Sequence, residues 1–489
     1  MVGFFDSDLW EVLILQLCQS EPAIRHAVIS LTALHEAEEI NGMAISKDRL
    51  NDSRHRFAVQ EYNGAIRHLN RKSQNGGADL QVITLMACLV FIHIELLRGR
   101  YDEAVKHLQS GLAILKLSPG DPHESQSITD SRASVNAQIR MAFQRLDLQS
   151  AFFDAPRPRS HLDLYHAAIS GLQGSNKIHF ESLPQARAYI EMLVNATLHF
   201  TRSCETMSPC DKKAHDRKLV DQQAQLLTLH TVCLHELGTL SSTLDQPSSS
   251  KYRQGAILLH MHLLTSLILL SACMAAGKTE TIFDRHLASF DSIVSLAEGL
   301  TFELSHPTSS TSKQGIRPRG SHTPENRMPS FVTDWGVVPP LYFTTTKCRH
   351  PHVRHRALRI LNAWPHREGF WDGALASRLA EEVMRMEEGC RSHLGTIPPN
   401  GFGDAWASPN GSCGSGDHGN ETFRLEDELP DWARVGNVFF EIAEDQTHGT
   451  LTLQKKLVKN RQHSHGISET RGQDHGDEKL VAEFRKVAI

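Results

Sequence analysis

The side chains best able to do chemistry in this chain are histidines and cysteines, and their spacing decides what they can do. His350, His352 and His355 lie close enough in sequence to approach one metal ion, but they are embedded among arginines that would repel a cation. His260 and His262 are two apart in an apolar helical stretch, where positions i and i+2 point to different faces and cannot chelate one ion. His35-Glu36 lacks the second histidine four residues on that a zinc-protease helix requires. The 29 histidines therefore read as structural or surface residues, and no metal site is expected.

The 9 cysteines are scattered without a Cys-x-x-Cys pair, which gives neither a zinc framework nor a disulfide scaffold and points to a reducing compartment. Cys204 and Cys210 are close enough in sequence for a redox pair, yet read as ordinary thiols at a helix end. The glycine cluster Gly411-Ser-Cys413-Gly-Ser-Gly416 lacks the strand and helix of a nucleophile elbow and the Gly-Lys-Ser/Thr ending of a phosphate cradle. It reads as a linker. No catalytic residue, no cofactor site and no enzyme activity are expected.

Bulk properties narrow the class further. With 489 residues and 40% apolar side chains the chain can bury a large core. A formal charge of -5 offers no concentrated basic surface for nucleic acid. The N-terminal segment MVGFFDSDLWEVLILQL has no basic leader region, and Asp6, Asp8 and Glu11 interrupt its apolar run, so secretion is not expected. Leu80 to Leu97 is apolar enough to be weighed as a membrane span, but His93 and Glu95 would be costly in lipid, and a buried core helix is the expectation.

The elements that would position these side chains are helices. Trp10, Leu13, Ile14 and Leu17 recur at helical spacing, and Glu21-Pro22 opens a second helix with proline in its first turn. A long helix is expected from about Ser46 to Asn70, then Leu80 to Leu97, Tyr101 to Leu117 and Gln126 to Ser150. Further helices are expected over Pro184 to Cys204, Lys218 to Leu244, Tyr252 to Ala276 and Thr281 to Leu304. Two of the early helices share a pattern offset by 39 residues: Tyr62-x-x-Ala65-Ile66-x-His68-Leu69 and Tyr101-x-x-Ala104-Val105-x-His107-Leu108. Small alanines admit a neighbouring helix while Tyr and Leu fill the groove, as in stacked helical hairpins.

Between Pro339 and Glu388 the charge inverts. Lys347, Arg349, Arg354, Arg356, Arg359 and Arg367 precede Glu368, Asp372, Glu381, Glu382, Glu387 and Glu388, which predicts two helices packed side by side, the second N-capped by Asp372. The Ser- and Pro-rich stretch 305–330 and the Gly- and Pro-rich stretch around 397–420 cannot bury enough apolar surface to order themselves. Asn437 to Glu444 and Thr450 to Leu453 read as a small terminal hairpin, followed by a polar, frayed tail after Lys459. The expected fold class is mainly α, a large helical-hairpin array with long disordered loops and a small C-terminal β-hairpin.

These residues resemble the C-terminal regulatory region of fungal binuclear zinc-cluster (six-cysteine) transcription factors. The resemblance is carried by Trp10 to Glu36, by Phe91-Ile-x-Ile-Glu95, by Tyr101-x-x-Ala104-x-x-His107-Leu108, and by Arg354-His-Arg356, Arg367-Glu368-Gly369 and Trp371-Asp372. It implies an all-helical regulatory domain; by composition and periodicity that domain spans 1–304 and continues through 331–396, with loops at 305–330 and 397–430, a hairpin at 431–458 and a tail at 459–489. Trp10, Tyr101, Ala104, His107, Leu108, Arg354, Arg356, Glu368, Gly369, Trp371 and Asp372 are its signature, with structural roles. The family's DNA-binding head needs two Cys-x-x-Cys pairs that this sequence does not contain. The expectation is thus a transcription-factor-like regulator, often of secondary-metabolite clusters, without zinc-dependent DNA binding of its own. It would act through an effector or protein partners: the transcription machinery, a zinc-cluster factor or a second copy in a homodimer. The expected location is the nucleus, with the cytoplasm as alternative. A helical scaffold with no role in transcription and a biosynthetic enzyme of unknown chemistry are the competing readings.

Overall fold

The computed structural model describes residues 3–5, 8–77, 79–117, 131–153, 178–207, 209–242, 250–274, 279–306, 328–394, 429–443, 446–456 and 480–488. The chain is mainly α, as its periodicity predicts. A π-helical turn at Leu9–Leu13 leads into α1 (Ile14–Ser20), and Pro22 opens α2 (Pro22–Ile40) behind an extended Glu21. Then follow α3 (Ser53–Asn75), α4 (Leu80–Leu97), α5 (Tyr101–Leu117) and α6 (Ser131–Phe153). Helix α3 starts later than its apolar pattern predicts. Asp52 caps it by accepting the Arg54 N–H at 2.9 Å, and the preceding residues are drawn into a loop by bonds from Ser46 and Asp48 to remote parts of the chain.

Helix α4 is a core helix. Nearly every residue from Ile83 to Leu97 is buried, the Glu95 carboxylate lies 3.2 Å from Arg98, and His93 Nδ1 donates to the Leu89 carbonyl at 2.8 Å. The two shared-pattern helices, α3 and α5, meet across it. Ala65 and Ala104 are both fully buried, and the Tyr62 hydroxyl of the first copy lies 3.0 Å from His107 Nε2 of the second, with the Phe91 ring edge-on to Tyr62. Among the described residues, two helices, α4 and the later Ser250–Ala272, are long and apolar enough to cross a membrane, and both are mostly buried inside the protein.

The second half of the helical body comprises α7 (Leu183–Thr206), α8 (Pro209–Ser242), α9 (Ser250–Ala272), a 3-10 turn at Glu280–His286 and α10 (Leu287–Ser305). After residue 327 come α11 (Val338–Lys347), α12 (Pro351–Ala363) and α13 (Gly373–Leu394). Three two-residue strands, β1 (Phe331–Val332), β2 (Arg367–Glu368) and β3 (Trp371–Asp372), form a small sheet that periodicity does not reveal, with β1 parallel and β3 antiparallel to β2. Adjacent strand residues face opposite sides, so Phe331 enters the core built by α1 to α6 while Val332 enters the core built mainly by α7 to α12. Phe370 and Trp371 divide in the same way.

The C-terminal hairpin is longer than predicted: β4 (Val435–Ile442) pairs antiparallel with β5 (His448–Lys456). It also gains a third strand. β6 (Leu480–Ala488) pairs along the whole of β5, in a stretch the sequence reading assigns to a frayed tail. Polar residues dominate that tail up to 479, but Leu480, Val481, Phe484 and Val487 supply the residue types that strands favour. The sheet packs Val435, Leu451, Leu453 and Val487 against Leu375, Leu379 and Val383 of α13. Residues 328–330, expected in a loop, are also packed: Met328 lies against the larger core, and the Ser330 hydroxyl is 2.9 Å from His35 Nε2. The greater part of the two expected disordered loops, residues 307–327 and 395–428, lies outside the described residues.

Candidate functional site

The signature residues gather at the seam where the N-terminal helices meet the segment after residue 328. In the loop before α3, Asp48 accepts from Arg98 Nε at 2.7 Å, Arg98 Nη2 at 3.0 Å, Arg100 Nε at 2.6 Å and His55 Nε2 at 3.0 Å. Burial pushes the Asp48 carboxyl up, but the hydrogen bonds from His55, Arg98 and Arg100 outweigh it and hold the group well below the usual carboxylate range. The tip of the β4–β5 hairpin reaches the same point: Gln446 Oε1 accepts the Asp48 N–H at 2.6 Å and Gln446 Nε2 donates to the Arg98 carbonyl at 3.3 Å.

A second knot surrounds Arg367 in β2. Its Nε donates to Ser46 Oγ at 2.7 Å, its Nη1 to Asp372 Oδ1 at 3.0 Å and its Nη2 to the Ala44 carbonyl. Asp372 accepts the Leu375 N–H at 2.9 Å, the predicted N-cap of α13, and with its other oxygen the Ser46 N–H at 2.8 Å. Glu368 caps a different helix from a distance. It accepts the N–H groups of Val337 at 2.7 Å and Val338 at 3.1 Å, two of the donors that the start of α11 leaves open, and lies 2.5 Å from His366 Nε2. Gly369 follows with φ +53, and a Cβ there would lie 1.9 Å from Gln149 Oε1, so the position requires glycine.

The packing of the basic and acidic helices is as the charge inversion predicts. Glu387 on α13 lies 3.0 Å from Arg349 Nη2 and 2.6 Å from Arg354 Nη2, and accepts the Val435 N–H of β4 at 2.8 Å. Burial raises the Glu387 carboxyl, but the two guanidinium groups bring it below its ordinary value. Arg356, in contrast, finds its acids on α10, with Glu298 Oε2 at 2.6 Å and Asp291 Oδ1 at 2.5 Å. Arg354 and Arg356 lie two residues apart, on different faces of one helix.

The other signature residues are placed by packing. Ala104 and Leu108 are buried in the N-terminal core, Tyr101 touches both that core and the patch under the C-terminal sheet, and the Trp371 ring lies 5.5 Å from Tyr342. His262 Nε2 donates to the Gly336 carbonyl at 2.9 Å and its ring lies tilted against Trp335 at 4.5 Å, as a satisfied core residue. Cys204 is buried beside Cys273, and the Cys210 side chain lies outside the described residues. Among the described residues no group of three or more His, Cys, Asp or Glu is arranged to hold a metal ion.

One cavity borders this seam and was not legible in the sequence. Of about 260 Å³, it lies between the π-helical turn, α4, α6, α7, the start of α9 and residues 333–334, with Trp10, Leu89, Met141, Arg145, Arg187 and Asp334 on its wall. Trp10 is the one signature residue that reaches it.

Comparison with known proteins follows these observations closely. Residues 5–152 match the fungal specific transcription factor domain, so the resemblance to the regulatory region of fungal transcription factors is borne out. Among curated proteins, the chain is 22% identical over 442 residues to the aspercryptin biosynthesis cluster-specific transcription regulator atnN of Emericella nidulans, covering 76% of this chain and 68% of the relative. It is 31% identical over 104 residues to the transcription regulator lscL of Purpureocillium lilacinum, covering 21% of this chain and 25% of that relative. No solved structure matches the chain. The family match ends before the Arg354 to Asp372 block, whose link to it is structural: Arg367 and Asp372 bond directly to Ser46 inside the matched region.

Proposed function

We propose that the protein is a transcription regulator of a fungal biosynthetic gene cluster. The observation that carries this reading is the similarity, across 76% of the chain, to a protein named as a cluster-specific transcription regulator, with the transcription-factor domain match at 5–152. In this reading residues 1–489 supply the regulatory function in the nucleus, through protein contacts or an effector rather than zinc-dependent DNA binding. The charge of -5 supports it, because counterion-release binding needs a basic surface. So does the pairing of buried arginines inside the chain, Arg98 with Asp48, Arg349 and Arg354 with Glu387, and Arg367 with Asp372.

The fold suggests a mechanism. Two helical cores meet at a thin sheet and a set of charge pairs, so a ligand or partner that favours one arrangement of that seam shifts the balance between surfaces presented to the transcription machinery. The test is to tether residues 1–489 to a heterologous DNA-binding domain and read a reporter. Activation or repression is expected; a flat reporter, with the fusion expressed and nuclear, overturns the proposal.

A further inference from the structure

We propose that the cavity beside Trp10 is a binding site for a compact, neutral, mainly apolar molecule bearing an amide-like group that both accepts and donates hydrogen bonds. The inference gives the effector of the regulatory reading a site and a chemical class, and rests on that reading for its biological meaning alone.

The cavity has the composition of a ligand site: a largely apolar wall with a few polar groups at one end. Phe5, Leu9, Trp10, Leu89 and Leu146 supply the apolar part. Its volume of about 260 Å³ falls just under the roughly 300 Å³ from which drug-sized pockets begin, which sets the ligand as small. Leu9 and Trp10 on its wall belong to a π-helical turn, Leu9–Leu13, a distortion frequent at functional sites.

The polar end specifies the ligand's chemistry. Arg187 Nη2 pairs with Asp334 Oδ1 at 2.7 Å and its Nε with Glu191 Oε1 at 2.7 Å, while Arg187 also lies over the Phe5 ring at 3.9 Å. Arg145 gives only its Nε to Glu191, at 2.9 Å and 3.0 Å, so its two terminal nitrogens bond no described residue and remain donors for a carbonyl. Two guanidinium groups face two carboxylates and Lys251 at the rim pairs with Glu11; the exposed Asp8 adds one further carboxylate, so the buried end is balanced in charge and favours a neutral guest. On the same wall, Asp334 Oδ2 and His93 Nε2 are buried acceptors without a protein partner. His93 Nδ1 spends its proton on the Leu89 carbonyl, which leaves Nε2 bare. A donor next to the ligand's carbonyl complements these acceptors.

The test uses the full chain with 2-naphthamide and naphthalene as probes, read by saturation-transfer NMR titration. The amide is expected to bind saturably and at least about tenfold more tightly than the hydrocarbon. Ala142→Phe, which fills the cavity from α6, should abolish binding of both, and Arg145→Lys, which keeps the ion pair with Glu191 but loses the paired terminal donors, should erase the preference while leaving hydrocarbon-level binding. Equal affinity for both probes, no saturable binding to the folded chain, or a preference that survives Arg145→Lys would each overturn the proposal. Circular dichroism and thermal melts establish that the variants fold; if Ala142→Phe does not, Arg145→Lys decides. Absent binding with an active tethered reporter removes the cavity inference alone, and a flat reporter with intact binding removes the regulatory reading alone.

Discussion

Arg349 places its Nη2 3.0 Å from Glu387 Oε1, and both side chains are almost wholly buried. Glu387 also faces Arg354, so one carboxylate neutralises two guanidinium groups while holding the first N–H of β4. Glu387→Ala would leave those two cations buried with one fewer counter-charge. Breaking a buried pair in this way costs about 3–5 kcal/mol, and chemical denaturation should show it as a lowered midpoint. A loss under about 1 kcal/mol would mean that water or Glu280 replaces the carboxylate.

Gly369→Ala should destabilise through two separable terms. The left-handed backbone costs a non-glycine residue about 1–3 kcal/mol, and the new methyl collides with the Gln149 amide. The double variant Gly369→Ala with Gln149→Ala should recover the collision but not the backbone term. Full recovery in thermal unfolding would show that backbone conformation does not matter there.

Acid should weaken the fold well above the carboxylate range. Burial takes His93, His230 and His262 each down to about 4 from an ordinary 6.5, so the unfolded chain binds protons that the folded chain refuses. Stability then falls as pH drops from about 6.5 to 4, by at most about 1.4 kcal/mol per pH unit for each histidine. Glu38 and Glu95, whose carboxyls burial raises, push the other way, while His107 and His260, also lowered by burial, add to the slope. Denaturation midpoints at several pH values read the slope, and replacing His230 with Gln should reduce it.

Gln446 adopts φ +52, a conformation that glycine tolerates better, yet its amide makes the two bonds that dock the hairpin tip on Asp48 and Arg98. Gln446→Gly therefore relieves backbone strain while removing the dock. Hydrogen exchange should quicken about fivefold to tenfold in β5 and at the Asp48 amide, corresponding to about 1 kcal/mol. Unchanged or slowed exchange would show that the strain outweighs the bonds.

Much of this architecture was legible in the sequence because helices announce themselves locally. The bounds of α4 and α5, the proline start of α2 and the Asp372 cap all follow from periodicity and end signals within a few residues. What escaped was set by distance. Ser46 leaves its expected helix because Arg367 and Asp372, more than 300 positions away, take its hydroxyl and N–H. The two-residue strands are too short to show alternation, and they exist because two cores need a divider with opposite faces. Arg356 turned to α10 rather than to the acidic helix next to it because its face of α12 points there. The cavity could not be foreseen, since its walls come from six separate segments.

The seam also constrains how the protein can be made. His35 waits for Ser330, Ser46 for Arg367 and Asp48 for Gln446, partners 295, 321 and 398 positions later. On the ribosome, the first helices can collapse but cannot close their charged edge until nearly the whole chain has emerged. Such long-range closure slows folding and leaves a polar, half-finished surface exposed throughout synthesis. A message cut short before the codon for Gln446 would therefore yield not a shorter working protein but a substrate for chaperones and proteases.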